Sequence, residues 1–216
     1  KTAGIFQNTQ EIDEWRAAGN GILQSNVQPG DVRFVDRNHD GQINDKDKVN
    51  LGNGTPDFTL GLNLGFVYKG FDFSIVANGA FGQQIVQSYR NHTRPTPNYT
   101  TAILDRWHGE GTSNRIPRVT DSNINYQFSD LFIQNGDYLR LSTLTLGYDF
   151  AKLFKGKAVS QARLYFQVQN LFIITGYDGM DPEIGFGSSN NSWVSGLDYG
   201  YYPRPRTVLV GVNLKF

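Results

Sequence analysis

The stretch Arg206-Thr-Val-Leu-Val-Gly-Val-Asn-Leu-Lys-Phe216 places Val208, Val210, Val212, Leu214 and Phe216 on one face and Leu209, Gly211, Asn213 and Lys215 on the other. A period of two is that of a β-strand with one apolar face. Free termini usually fray in water, so a strand that runs apolar to a final Phe needs apolar surroundings. Two architectures supply them: the closing strand of a barrel in lipid, or a buried strand of a soluble β-sandwich. Segments upstream separate the two.

Phe58, Leu60, Leu62, Leu64, Phe66 and Tyr68 alternate in the same way, and Lys69-Gly70 reads as a tight turn. On the returning strand Phe71, Phe73, Ile75, Ala77 and Phe81 share a face, with Asp72, Ser74 and Asn78 opposite. Between Tyr138 and Phe150, Leu144, Leu146, Tyr148 and Phe150 point one way, and Thr143, Thr145, Gly147 and Asp149 the other. Leu139 and Leu141 break that parity, which predicts a bulge near Ser142. Ala162, Leu164, Phe166, Val168 and Phe172 then alternate with Arg163, Tyr165, Gln167, Gln169 and Leu171.

The links alternate short (69–70, 151–160) and long (83–136, 173–205). Outer-membrane barrels have short periplasmic turns and long outer loops, whereas a structureless stretch as long as 83–136 is unusual in a compact soluble domain. Tyr68, Phe71, Tyr148 and Phe150 gather near the short links, as an interfacial aromatic girdle does. Thr9 to Arg16, capped by Asn8 or Thr9, predicts a short helix. The expected fold is all-β, a large antiparallel transmembrane barrel with long extracellular loops. Residues 1–57 form an outer loop region, and 58–216 carry the barrel strands with their loops. Roughly five strands cross, whereas single-chain barrels start at about eight. The chain is therefore expected to be the C-terminal part of a larger barrel. Its start at Lys1, without Met or signal peptide, fits a processed chain or a piece of a longer one.

Composition agrees. Lys plus Arg and Asp plus Glu are both 20, so no net charge draws the chain to nucleic acid. There is no Cys, hence no disulfide, thiolate metal site or cysteine nucleophile. A mean hydropathy of −0.43 is compatible with a barrel, whose lipid face is hidden in alternation.

Six collinear segments carry a family resemblance: Gly30 to Asn44 (GDVRFVDRNHDGQIN), Leu104 to Glu110 followed by Ile116-Pro-Arg118, Gly136 to Tyr148 (GDYLRLSTLTLGY), Val168 to Phe172, Tyr177 to Glu183 (YDGMDPE), and Tyr201 to Thr207. Together they resemble SusC-type TonB-dependent transporters of Bacteroidetes. They depart at His39, where that family usually has Gly, and at His108-Gly109, where it often has Thr-Pro. The resemblance implies a plugged barrel of about 22 strands in the outer membrane of a Gram-negative bacterium, with its long loops extracellular and its C-terminus periplasmic. It also implies import of an oligosaccharide or peptide, a SusD-like surface lipoprotein as partner, and energy from TonB through a part of the transporter outside this chain. Beyond TonB, the expected partners are the rest of the same barrel and outer-membrane lipid.

The residues from Asp36 to Asp47 match the pattern of a calcium loop. Asp36, Asn38 and Asp40 stand at positions 1, 3 and 5, Gly41 at the sharp turn, and Gln42 offers its carbonyl at position 7. Ile43 would pin the loop to a core, Asn44 sits at position 9, and Asp47 takes position 12, where Glu is usual. Hard oxygen donors on alternate residues suit Ca²⁺, with Mg²⁺ as the other ion; an Asx-rich turn without metal has the same composition. A structural clip is expected rather than a switch, because no helix pair flanks the loop.

Nothing predicts catalysis. His39, His92 and His108 are far apart, with no HExxH and no defensible triad, and Asp181-Pro-Glu183 falls in a loop. For cargo, the candidate residues are Trp107, Trp193, Tyr199 and Tyr201, with Tyr202 beside them, whose rings suit sugar C–H faces. Asp198, Asn190 and Asn191 would bind hydroxyls. The same rings could instead pack within the loops. The residues leave one rival of another class, a secreted glycan-binding β-sandwich with a calcium clip. Leu62, Leu164 and Val212 discriminate: they face lipid in a barrel and a second sheet in a sandwich.

Overall fold

A computed structural model describes residues 1–88, 100–120, 123–153, 159–184 and 195–216. The strands are β1 (Thr2–Ile5), β2 (Val32–Phe34), β3 (Phe58–Tyr68), β4 (Phe71–Phe81), β5 (Gln84–Gln87), β6 (Ile133–Asn135), β7 (Tyr138–Asp149), β8 (Gln161–Thr175), β9 (Leu197–Asp198) and β10 (Thr207–Lys215), with one α-helix, α1 (Thr9–Ala17), among the described residues. Two compact units result, one of Lys1–Gly52 with Val86–Gln134, the other of Asn53–Ile85 with Asn135–Phe216. The segment 86–134, read from sequence as part of a loop, thus clusters with the first 52 residues. A three-stranded sheet has the order β6-β5-β9.

The second unit holds an antiparallel five-stranded sheet, β10-β8-β7-β4-β3. Its registers stack the apolar positions into rows across all five strands. One row is Val210, Phe166, Leu146, Phe73 and Phe66; the next is Val208, Val168, Leu144, Ile75 and Leu64. Val212, Leu164, Tyr148, Phe71 and Tyr68 form the row at the short-link end. There the Phe71 and Tyr148 rings lie 4.4 Å apart and Tyr148 and Phe150 4.6 Å apart. The expected bulge exists: pairing skips Ser142 against both neighbours, stepping from Thr143 to Leu141 opposite Val76 and Ala77. That extra residue reverses the parity of β7, so Leu141 and Leu139 join the face of Phe172 and Ile174. Lys69 (φ 48°) and Gly70 (φ 93°) both turn left-handed, as a two-residue hairpin of right-twisted strands requires.

No second sheet covers this face among the described residues. Leu62, Leu164 and Val212 are 41%, 42% and 60% exposed. An apolar face so broad is a surface for lipid or for another protein. Among the described residues β3 and β10 each have one neighbour, so both edges of the sheet are open there. The opposite face is polar. Arg163 donates Nε and Nη2 to the two oxygens of Asp72 at 2.7 and 2.6 Å and stacks on Tyr165. This bidentate bridge passes over Gly147: a Cβ there would fall 2.4 Å from Asp72 Oδ1 and 2.7 Å from Arg163 Nε. Gly147→Val is expected to break the bridge and to destabilise the intact barrel by about 1–3 kcal/mol. The check is thermal unfolding in micelles, where Asp72→Ala in the Val background should relieve the clash rather than add to it.

The first unit has its own core of Ile5, Phe6, Ile12, Val32 and Phe34, all buried. β1 and β2 pair antiparallel. The Asn8 side chain caps α1 by accepting from the Glu11 N–H at 2.9 Å, and the Glu11 carboxylate reaches back to the Gln7 N–H at 2.9 Å. The first bond satisfies a donor that a helix N-terminus leaves unpaired, and the second ties the residue before the cap to the first turn. Buried Asp31 accepts from Arg118 Nε at 2.7 Å and from Asn125 Nδ2 at 2.8 Å, while Asn125 Oδ1 accepts from the Val32 N–H at 3.0 Å. These bonds tie residues near 120 to the strand β2.

Candidate functional site

The acidic loop begins two residues after β2. Asp36 is 1% exposed. Its Oδ2 accepts from the Gly21 and Gly41 N–H groups, both at 2.9 Å, while Oδ1 is shielded from water and has no hydrogen-bond partner. His39 (φ 56°) and Gly41 (φ 78°) supply the left-handed residues that curl the loop back on itself. Asp40 is exposed; its Oδ2 accepts from Asn38 Nδ2 at 2.7 Å and its Oδ1 from the Gln42 N–H at 3.0 Å. Asp47 is buried and accepts from the Arg37 and Asn44 N–H groups, each at 2.8 Å. The Asn44 side chain caps the short 3₁₀ turn Asp45–Asp47. Ile43 is half-buried.

Donors crowd these carboxylates. The Asn38 amide, then the Gln42 N–H, hold Asp40 below the usual carboxylate range. The N–H groups of Asn44 and Arg37 hold Asp47 below it as well. Both side chains are therefore anionic at neutral pH. Among the described residues no three carboxylate or imidazole groups converge on one point. The donor set nevertheless fits a hard cation. Asp36 Oδ1 is already placed and free, and Asn38, Asp40 and Asn44 lie in the same turn. An ion would require exposed Asp40 to release Asn38 and Gln42 and swing inward.

The residues proposed for cargo differ in setting. Trp107 is half-buried; its Nε1 donates to Gln7 Oε1 at 3.2 Å, and its ring fills the space above Gly30, where a Cβ would meet Trp107 Cε3 at 2.4 Å. Asp198 is fully buried. It accepts from Tyr177 Oη at 2.5 Å and from the Gly200 and Tyr201 N–H groups. It therefore organises the turn that presents Tyr199 and Tyr202, which are 54% and 87% exposed, with Tyr201 half-buried. Trp193, Asn190 and Asn191 lie outside the described residues. Trp107→Ala should destabilise the protein by about 2–3 kcal/mol, whereas Tyr202→Ala should change stability by less than about 0.5 kcal/mol. Chemical denaturation of the two variants separates a packing ring from an available one.

A buried charge cluster stands apart from the residues that spacing singles out. Arg140 in β7, 4% exposed, donates Nη2 to Asp181 Oδ1 at 2.5 Å and places Nε 3.0 Å from Glu183 Oε2. Arg204 reaches Glu183 Oε1 at 2.9 Å, and the Arg204 N–H approaches Asp181 Oδ2 at 3.4 Å. The segment after β8 is thus pinned to the sheet, near the bulge. The signals in the sequence were the Asp181-Pro-Glu183 carboxylates and a lone Arg between Leu139 and Leu141, where the alternation fails.

No family model matches the chain. It is 34% identical over 209 residues to TonB-dependent receptor P3 of Formosa agariphila, an alignment covering 92% of this chain and 20% of that protein. It is 32% identical over 197 residues to TonB-dependent receptor SusC of Bacteroides thetaiotaomicron, covering 90% of this chain and 18% of that protein. Among solved structures, the RagAB peptide importer in its open-open state superimposes with a TM-score of 0.65 at 20% identity, over 100% of this chain and 22% of the other. The chain thus spans about a fifth of the length of these relatives.

Proposed function

The chain belongs to the SusC-like TonB-dependent receptors, and from that premise we propose that its five-stranded sheet is a section of the wall of an outer-membrane importer of oligosaccharides or peptides. The observation that carries this reading is the sheet itself. Three registered rows of apolar residues cross five strands of 9 to 15 residues, and both sheet edges are open. A transmembrane strand needs about 9–11 residues, and lipid tolerates no unpaired edge, so further strands of the same barrel flank β3 and β10. The polar face with Asp72 and Arg163 lines the lumen or meets a plug. The short links lie at the periplasmic side, and the long segments at the cell surface. There a SusD-like lipoprotein is the natural lid, and TonB supplies energy through another part of the protein. No catalytic step is assigned.

The test uses the intact protein in its own host. Deleting its gene should abolish uptake of one class of labelled oligosaccharide or peptide, and removing TonB should do the same. The protein should fractionate with the outer membrane and bring down a lipoprotein. Unchanged uptake of every sugar and peptide class tried, or recovery as a soluble secreted protein, overturns the reading.

A further inference from the structure

We propose that the loop from Asp36 to Asp47 is a Ca²⁺ site built around the Asp36 carboxylate, and that the bound ion clamps this loop to the turn that follows α1. Two independent observations meet here. The first is the oxygen donors on alternate residues, Asp36, Asn38 and Asp40, with the Gln42 carbonyl, Asn44 and Asp47 completing the spacing of a calcium loop. The second is Asp36 Oδ1. A carboxylate oxygen closed off from water without any donor is costly. Its partner oxygen, Oδ2, takes both available N–H groups, Gly21 and Gly41, and so holds the carboxylate in the curl of the loop. A cation beside Oδ1 supplies what the protein does not. Hard cations select oxygen donors, and a set of two or three carboxylates with amide and backbone oxygens favours the larger, flexibly coordinated Ca²⁺ over Mg²⁺.

The clamp follows from what Asp36 touches. Gly21 donates to Asp36 from the turn after α1, and it lies so close to the loop that a Cβ on it would come within 2.7 Å of the Gln42 backbone. Trp15 Nε1 donates to the Gly21 carbonyl at 3.2 Å, which ties the same turn to the helix. An ion that fixes Asp36 against Asp40 and Gln42 therefore fixes Gly21, and through it the end of α1.

Asp36→Asn is nearly isosteric. Its side-chain oxygen keeps the acceptor for Gly21 and Gly41, while its NH₂ replaces the orphaned oxygen. The experiment is hydrogen exchange, read by mass spectrometry, on the intact transporter in micelles, using peptides that span residues 15–24 and 36–48. CaCl₂ is titrated from EDTA to 10 mM, with MgCl₂ in parallel. Ca²⁺ should slow exchange of both peptides about tenfold in the wild type, with half-effect near the 10⁻⁴–10⁻³ M of extracellular calcium modules. It should have no effect in Asp36→Asn, which in EDTA should be at least as protected as the wild type. Asp40→Asn, which removes one anionic ligand and keeps one acceptor for the loop, should raise the half-effect concentration about tenfold relative to its own EDTA baseline. The proposal is overturned if 10 mM Ca²⁺ protects neither wild-type peptide. It is equally overturned if Asp36→Asn loosens both peptides alike in EDTA and in Ca²⁺, which is the mark of a purely structural carboxylate. Equal protection by Mg²⁺ at equal concentration overturns the choice of ion.

Discussion

Arg140→Met is expected to destabilise the barrel by about 3–5 kcal/mol, the cost of breaking a buried ion pair from one side. The Met side chain fills much of the space but leaves Asp181, 5% exposed, and Glu183 facing each other without the guanidinium between them. Asp181 then has no guanidinium beside it and Glu183 keeps Arg204 alone, and the cheapest way to solvate them is for the segment from Tyr177 to Glu183 to leave the sheet. Arg204→Met is the comparison. Its side chain is 54% exposed and, among the described residues, its ion pair is with Glu183 alone, so the screened pair is worth less than about 1 kcal/mol. Urea titration of the intact protein in micelles measures the two costs. Limited proteolysis locates the first, with new cleavage near residue 180 in Arg140→Met alone. Similar losses in both variants would show that the cluster is not organised around Arg140.

The second large effect is expected at Leu144. Its row, with Val208, Val168, Ile75 and Leu64, lies mid-way along the apolar face. Arginine at the bilayer midplane of an outer-membrane barrel costs about 2–4 kcal/mol, while lumen positions are permissive. Leu144→Arg should therefore fold poorly into the outer membrane, losing most of its folded, heat-modifiable band on gels. Thr145→Arg, one residue away and facing the other side, should assemble almost as well as the wild type. If instead both substitutions are tolerated, the face lies against protein or water rather than lipid.

These contrasts show why one unit was readable in the sequence and the other was not. In the sheet each residue faces the side that its parity dictates, so alternation fixed the faces of β3, β4, β7, β8 and β10. The mismatch of Leu139 and Leu141 with Leu144 and Leu146 located the bulge at Ser142, because a single inserted residue is the only local way to swap faces. The helix after Asn8 was legible from its cap. The first unit has no such period. Asp31 is held by Arg118 and Asn125, partners 87 and 94 positions away, and neither spacing nor residue type announces a pairing across that distance. So 86–134 reads as loop although it clusters with residues 1–52 in one compact unit. Trp107 and Asp198 illustrate the same gap. An aromatic and a carboxylate in long loops read as ligand groups, and only the fold shows one ring packed over Gly30 and one carboxylate occupied by Tyr177.

The first unit is assembled from two pieces of chain that bracket the β3–β4 hairpin. Asp31 is synthesised and exported well before Arg118, and meanwhile its carboxylate has no guanidinium to meet. The hairpin shortens the wait. Pairing of Phe58 with Phe81, and of the Gln84 N–H with the Asn53 carbonyl at 2.8 Å, draws the two pieces to neighbouring points and so removes part of the entropy of closing a long loop. Topology then favours one order of events: the hairpin forms first and the first unit condenses afterwards. A chain stalled before Phe81 would carry its first 52 residues as an unfinished half.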